Sequence, residues 1–322
     1  MNEFALIDRY FRRATHDPAV RVGIGDDAAV VAPTPGCDLV FSVDMLVEGR
    51  HFLASVEPAT LGHKTLAVNL SDMAAMGAKP RWALLAGALP DNDERWLSDF
   101  ARGLFALADR FDVALIGGDT TRGPRNLCLT IIGEVPAGTA LTRAGAKAGD
   151  DIYVSGTLGD SALALAVLQG KAARDGAALA TARARLKTPE PRVALGERLR
   201  GVASAAIDVS DGLTGDLQHI LDRSGVGAAI DLALIPRSMP LATLIHGDGR
   251  DLGLACLLAG GDDYELCFTA PASSRETIAA ISRDVDVPLA RIGTVIAGEG
   301  LVVRDERGAP LATLPRSFDH FS

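Results

Sequence analysis

Apolar residues run in short blocks along the chain, and most blocks close on glycine or aspartate. Leu39 to Val43 reads as a buried strand that delivers Asp44 at its end. A helix is predicted from Thr60, taken as its N-cap, to Met76, with Leu66, Leu70 and Met73 on one face and Gly77 as the stop signal. Asp72 belongs to this helix, and Lys64 is expected on its solvated surface. Trp82 to Leu89 reads as the next strand, followed by a capping box between Asp91 and Glu94. Trp96, Phe100, Leu104, Leu107 and Phe111 then recur at helical spacing and read as core. A strand over Val113 to Ile116 runs directly into Gly117-Gly118-Asp119, and Leu127 to Val135 completes a first α/β unit.

Pro136 to Asp150 is rich in Gly, Ala and Thr, which marks the domain boundary and predicts domains over 1–138 and 139–322. Beyond it, Asp151 to Ser155 reads as a strand and Asp160 to Gln169 as a helix. Strand-like runs follow over Ala203 to Val209, Ala228 to Leu234 and Glu265 to Thr269. The recurrence of strand, glycine and aspartate in both halves suggests related units, while no fixed short period supports a solenoid.

Composition narrows the function. With 322 residues, 48% of them hydrophobic, the chain has material for two cores. A formal charge of −9 argues against a broad nucleic-acid surface, which needs clustered Lys and Arg. Cys37, Cys128, Cys256 and Cys267 form no C-x-x-C pair, so the spacing offers no zinc or dithiol site, and reduced thiols in a cytoplasmic protein are expected. No run is long and uncharged enough to predict a membrane span.

The candidate chemistry lies in the acidic motifs Gly25-Asp26-Asp27, Ser42-Val43-Asp44, Gly117-Gly118-Asp119 and Asp208-Val209-Ser210-Asp211-Gly212, with a fifth at Gly260-Gly261-Asp262-Asp263. A single aspartate in a turn needs no special role, because its side chain bonds its own backbone. Converging carboxylates differ: two anions ~4 Å apart repel by ~1 kcal/mol in water and ~4 kcal/mol at an effective dielectric of 20, so a cluster must take up protons or cations. Hard oxygen ligands favour magnesium or calcium, and magnesium commonly arrives with phosphate. The chain contains neither G-x-x-x-x-G-K-[ST] nor a complete G-x-G-x-x-G, so the expectation is a Mg-nucleotide site built without a P-loop.

The ordered set GIGDDAAV, SVDMLVEGRHF, NLSDMAAMGA, IGGDTTRG, LTRAGAKAGDDIYVSGTLGDS, IDVSDGL, GGDDYELCFTAP and FDHF spans nearly the whole chain and strongly resembles the thiamine-monophosphate kinase family. The resemblance implies a two-domain α/β (α+β) fold of the aminoimidazole ribonucleotide synthetase type, with N-terminal sheets joined into a barrel across a homodimer. It implies an N-terminal domain for ATP, Mg²⁺ and dimerisation, and a reaction in which ATP phosphorylates thiamine monophosphate to thiamine diphosphate, the last step of that cofactor's biosynthesis. Asp27, Ser42, Val43, Asp44, Asp72, Asp119, Asp208 and Asp211 resemble the ligands of several Mg²⁺ ions. Val43 stands where the family often has Thr, so only its backbone carbonyl could serve. Gly118, Asp119, Arg143 and Ser210 are the implied ATP contacts, and Asp44, Asp119 and Arg143 the implied catalytic group. His51, Asp262 and Phe318 are the implied acceptor contacts, in places where the family often has Glu at 262 and Tyr or Trp at 318.

Blander readings exist for three of these residues. Arg143 sits in a Gly- and Ala-rich linker, where an arginine is commonly solvated. His51 is equally readable as a half-buried polar cap, and Phe318 as an anchor for the C-terminal tail. Two relatives in the wider superfamily are selenophosphate synthetases and a hydrogenase maturation protein. Their reactive cysteines have no counterpart near either end of this sequence. A nucleotide-responsive binding protein that does not turn over is the non-enzyme alternative.

Overall fold

The computed structural model describes residues 2–15, 17–172 and 178–317. The chain divides into two compact units, Met1–Met73 with Ala78–Gly138, and Ala74–Gly77 with Thr139–Ser322.

The first unit runs α1 (Glu3–Tyr10), β1 (Val20–Val22), β2 (Val30–Val31), β3 (Cys37–Val47), α2 (Pro58–Ala75), β4 (Lys79–Leu89), α3 (Glu94–Phe111), β5 (Ala114–Arg122) and β6 (Asn126–Pro136). Its main sheet has the order β3-β6-β4-β5, with β4 and β5 parallel and the other neighbours antiparallel. Along β3 the odd positions from Leu39 to Met45 are exposed, whereas Val40, Ser42, Asp44 and Leu46 are partly or fully buried. This is the period-2 signature of a strand with one covered face.

Helices α2 and α3 approach closely because both offer glycine at the crossing. A Cβ on Gly103 would overlap the Ala59 carbonyl, and one on Gly62 would overlap that of Phe100. Leu66, Leu70 and Met73 of α2 and Phe100, Leu104 and Leu107 of α3 are buried. On the opposite sheet face, Trp82, Ile116 and Ile132 form a smaller cluster against Val20 and Val31. Asp17 anchors that end by accepting hydrogen bonds from Arg81 and from the Trp82 indole.

The second unit runs β7 (Asp151–Ser155), α4 (Asp160–Leu168), α5 (Ala178–Lys187), α6 (Val193–Leu199), β8 (Ala205–Val209), α7 (Leu213–Ser224), β9 (Gly227–Asp231), α8 (Met239–His246), α9 (Arg250–Ala259), β10 (Glu265–Ala270), α10 (Arg275–Asp284), β11 (Leu289–Ile296) and β12 (Leu301–Arg304). Its sheet order is β12-β9-β11-β7-β10-β8. Every residue of β7, β8 and β10 is buried. These three strands are covered on both faces, and each encloses polar side chains among its apolar ones: Asp151 and Ser155 in β7, Asp208 in β8, Glu265 and Thr269 in β10. The two sheets differ in strand number and order, so the recurrent strand-glycine-aspartate pattern does not reflect one repeated topology.

Several local expectations need correction. Thr60 lies inside α2, its hydroxyl donating back to the Glu57 carbonyl, because Pro58 already opens the helix. The N-cap of α3 is Asp93, which accepts from the backbone of Arg95 and Trp96, while Asp91 accepts the Asp93 N–H. Phe100 is core, but Trp96 and Phe111 are half-buried. Lys64 is 5% exposed, not a solvated lysine, since α2 buries its polar side along with its apolar one.

Candidate active site

Asp44 was expected at the end of its strand and Asp119 just beyond its own, yet both sit inside strands. Asp44 is followed by three more residues of β3 and Asp119 by three more of β5, while Asp208 lies within β8, as the run Ala203 to Val209 predicts. In β5 the Gly-Gly pair does not turn the chain: pairing with β4 continues through Ala86↔Asp119 after a register shift between Ala83 and Leu84. Gly118 has φ +149°, and a Cβ there would overlap the Leu85 backbone, so only glycine allows this close approach.

Within the first unit, the Ser42 hydroxyl donates to Asp72 Oδ2 at 2.5 Å, joining β3 to α2. Asp44 lies two residues along the same strand and is half-buried. Burial first, and then the Asp44 carboxylate, raise the pKa of the Cys128 thiol. The Val43 side chain is exposed on the opposite face from Ser42 and carries no ligand oxygen. Asp27 is exposed in the turn after Ile24, its N–H donating to Asp26 Oδ1 at 3.0 Å, and Asp119 is exposed on β5. His51 closes the turn after β3: its Nδ1 accepts the Val47 N–H at 3.0 Å, so the neutral ring carries its proton on Nε2.

Within the second unit, Asp208 is buried, while Ser210 and Asp211 are half-buried in the loop between β8 and α7. The Ser210 carbonyl accepts the Asp262 N–H at 2.8 Å, which brings an expected nucleotide residue and an expected acceptor residue onto adjoining backbone. The Asp262 carboxylate accepts the Tyr264 hydroxyl at 2.9 Å. Arg143 is exposed, with its carbonyl near the Ser224 hydroxyl. Phe318 lies outside the described residues.

Sequence reading missed Asp216. Its carboxylate accepts backbone N–H groups from Ser210, Asp211 and Gly212, and burial, followed by weaker effects that include the Asp211 charge, raises its pKa to about 7. An acid four residues beyond a Gly in an Asp-Gly turn was the available signal. It also missed the buried Glu265, which receives Arg185, Arg192 and the Ser155 hydroxyl.

The donor set of carboxylates and one hydroxyl has the hard-oxygen chemistry that suits Mg²⁺. Ser42 and Asp72 already stand together, but among the described residues no three His, Cys, Asp or Glu side chains are grouped closely enough to hold one ion.

Residues 25–135 match the AIR synthase related protein N-terminal domain, and residues 147–306 match the corresponding C-terminal domain. The chain is 47% identical to the thiamine-monophosphate kinase of Escherichia coli K12 over 327 residues, covering 99% of this chain and 98% of the relative. Among solved structures, the thiamine-monophosphate kinase of Stenotrophomonas maltophilia K279a is 50% identical with a TM-score of 0.86, covering 94% of this chain and 96% of that one. AaThiL complexed with AMPPCP and TMP is 29% identical with a TM-score of 0.77, covering 90% and 89%. Within the AIR synthase related proteins, the chain belongs to the thiamine-monophosphate kinase family.

Proposed function

We propose that this chain transfers the γ-phosphoryl group of ATP to thiamine monophosphate, giving thiamine diphosphate and ADP, the last step in making that cofactor. The observation that carries the reading is the 47% identity to a thiamine-monophosphate kinase over the full length of both chains. A related structure holding AMPPCP and TMP supports the choice of substrates.

A terminal oxygen of the acceptor phosphate attacks the γ-phosphorus while the bond to the β–γ bridging oxygen breaks and ADP leaves. A phosphate monoester has its second pKa near ~6, so the nucleophile is already ionised at neutral pH and needs no strong general base. The barrier is the approach of two anions, and the protein's task is positioning and charge compensation. Asp27, Ser42, Asp44, Asp72, Asp119, Asp208 and Asp211 would hold Mg²⁺, with Val43 able to add only a carbonyl. When bound, Mg²⁺ supplies positive charge to the phosphate oxygens. Gly118 gives the nucleotide access to backbone, Ser210 and Arg143 bind its phosphates, and Arg143 compensates charge on the group in transfer. His51, through Nε2–H, and Asp262 orient the acceptor. Phe318 is the aromatic residue assigned to the acceptor's cationic ring.

The assembly we propose is a homodimer. Phe41, Val43 and Met45 are 62%, 58% and 51% exposed on one face of β3, an apolar strip suited to a second copy of the same sheet. All four cysteines are free thiols, which supports a reducing, cytoplasmic setting. Among the described residues, no helix is long and apolar enough to cross a membrane.

The test is incubation of the purified protein with ATP, Mg²⁺ and thiamine monophosphate, followed by chromatographic separation of the thiamine phosphates, with an EDTA control. Metal-dependent appearance of thiamine diphosphate and ADP is expected. ADP without thiamine diphosphate would point to another acceptor, and ATP binding without turnover to a binding protein.

A further inference from the structure

The loop between β8 and α7 hangs on one side chain. Asp216 is 3% exposed, and its Oδ2 lies 3.1, 3.1 and 3.0 Å from the backbone nitrogens of Ser210, Asp211 and Gly212. Ordinary capping serves donors within the first helical turn. Two of these three donors precede the cap residue Gly212, so Asp216 acts on the loop and not on its own helix.

The same loop supports a second one. The Val209 and Ser210 carbonyls accept the N–H groups of Tyr264 and Asp262, both at 2.8 Å. Asp262 and Tyr264 have φ of 67° and 51°, a left-handed conformation that is unfavourable for a side-chain-bearing residue and persists only where neighbours hold it. Glycine permits the approach: a Cβ on Gly261 would overlap the Ser210 carbonyl oxygen.

We propose that Asp216 is a positioning residue for both substrates: its carboxylate fixes the 210–212 backbone and, through the Val209 and Ser210 carbonyls, the 262–264 turn. One buried group thereby places Ser210 for ATP and Asp262 for thiamine monophosphate, although it touches neither. This inference rests on the kinase reading for the identity of the substrates, but the fixing of the two loops does not.

The test compares the wild-type chain with Asp216→Asn and Asp216→Ala by steady-state kinetics and by hydrogen exchange resolved to peptides. Asn keeps the shape and one acceptor oxygen but loses the charge, so the 209–212 and 262–264 amides should exchange about 10-fold faster, and the KM for ATP and for thiamine monophosphate should each rise about 10-fold. Exchange in β9 and β12 should stay unchanged, and Asp216→Ala should move every affected quantity further. Wild-type exchange and KM in Asp216→Asn, a KM change confined to one substrate, or an even loss of protection across the second unit would each overturn the proposal. If Asp216→Ala does not fold, Asp216→Asn decides alone. A wild-type protein that makes no thiamine diphosphate would reject the kinase reading instead, and the exchange comparison would still judge the loops.

Discussion

The Ser42 hydroxyl donates to Asp72 Oδ2 at 2.5 Å, tying strand β3 to helix α2 at residues 30 positions apart in sequence. The bond orients the carboxylate. Asp72→Asn keeps an oxygen that Ser42 can donate to but removes the charge. It should lower kcat/KM about 100-fold or more with little change in melting temperature. Ser42→Ala removes both an expected ligand and the orienting partner, and should cost about 10- to 100-fold, with a higher Mg²⁺ concentration needed for half-maximal rate. A magnesium titration of both variants checks this, and wild-type response to the metal would remove the pair from the site.

Asp44 and Asp119 are each unnecessary to the core. Asp119 is exposed on β5, and Asp44 is half-buried on β3 beside fully buried Leu129. Asp44→Asn and Asp119→Asn should therefore abolish thiamine diphosphate formation while circular dichroism and melting stay near wild type. Full activity in both would overturn the assignment of these aspartates.

What the sequence reveals depends on whether a residue's neighbours are local. The 3.6-residue recurrence of Phe100, Leu104 and Leu107 predicts α3 because one face of that helix alone is buried. The same logic fails for Lys64: α2 also encloses Thr65, Asn69 and Ser71, so its polar residues are inside and periodicity says nothing about which face is wet. Gly117-Gly118 reads as a turn, because glycine's usual local role is punctuation, and only the pairing with β4 shows that the strand continues to Arg122. The aspartate motifs are legible as chemistry one by one. Asp216 is not, since its value lies in three backbone donors that the fold brings to it.

Asp263 supplies a pH signature. Burial drives its carboxyl well above the ordinary carboxylate range; the Gly159 N–H opposes this, and the Glu265 and Asp160 charges add to it. A folded-state pKa raised above the unfolded value means that the native state binds the proton more tightly. Wild-type stability therefore falls as pH rises from about 4 toward the folded pKa. Asn at 263 has no proton to lose, so Asp263→Asn should gain melting temperature relative to wild type between pH 5 and pH 8. A difference that is flat with pH, or that shrinks, would show that the buried carboxyl does not titrate in this way.

The exposed strip on β3 predicts the state of association. Phe41 is 62% exposed, so replacing it removes little from the monomer's own core, whereas a second copy packed on this face would bury the ring. An aspartate placed there must be desolvated without a partner on association, at a cost of several kcal/mol, enough to dissociate a dimer at micromolar concentration. Wild-type protein should sediment at twice 33.5 kDa and Phe41→Asp at 33.5 kDa, with unchanged circular dichroism. Glu134 gives the matched control: on β6, it is 6% exposed and accepts from Thr34, so Glu134→Gln should disturb the fold locally and leave association intact. A monomeric wild type, or a Phe41→Asp variant that remains dimeric, would show that this strip is not the surface on which two copies meet.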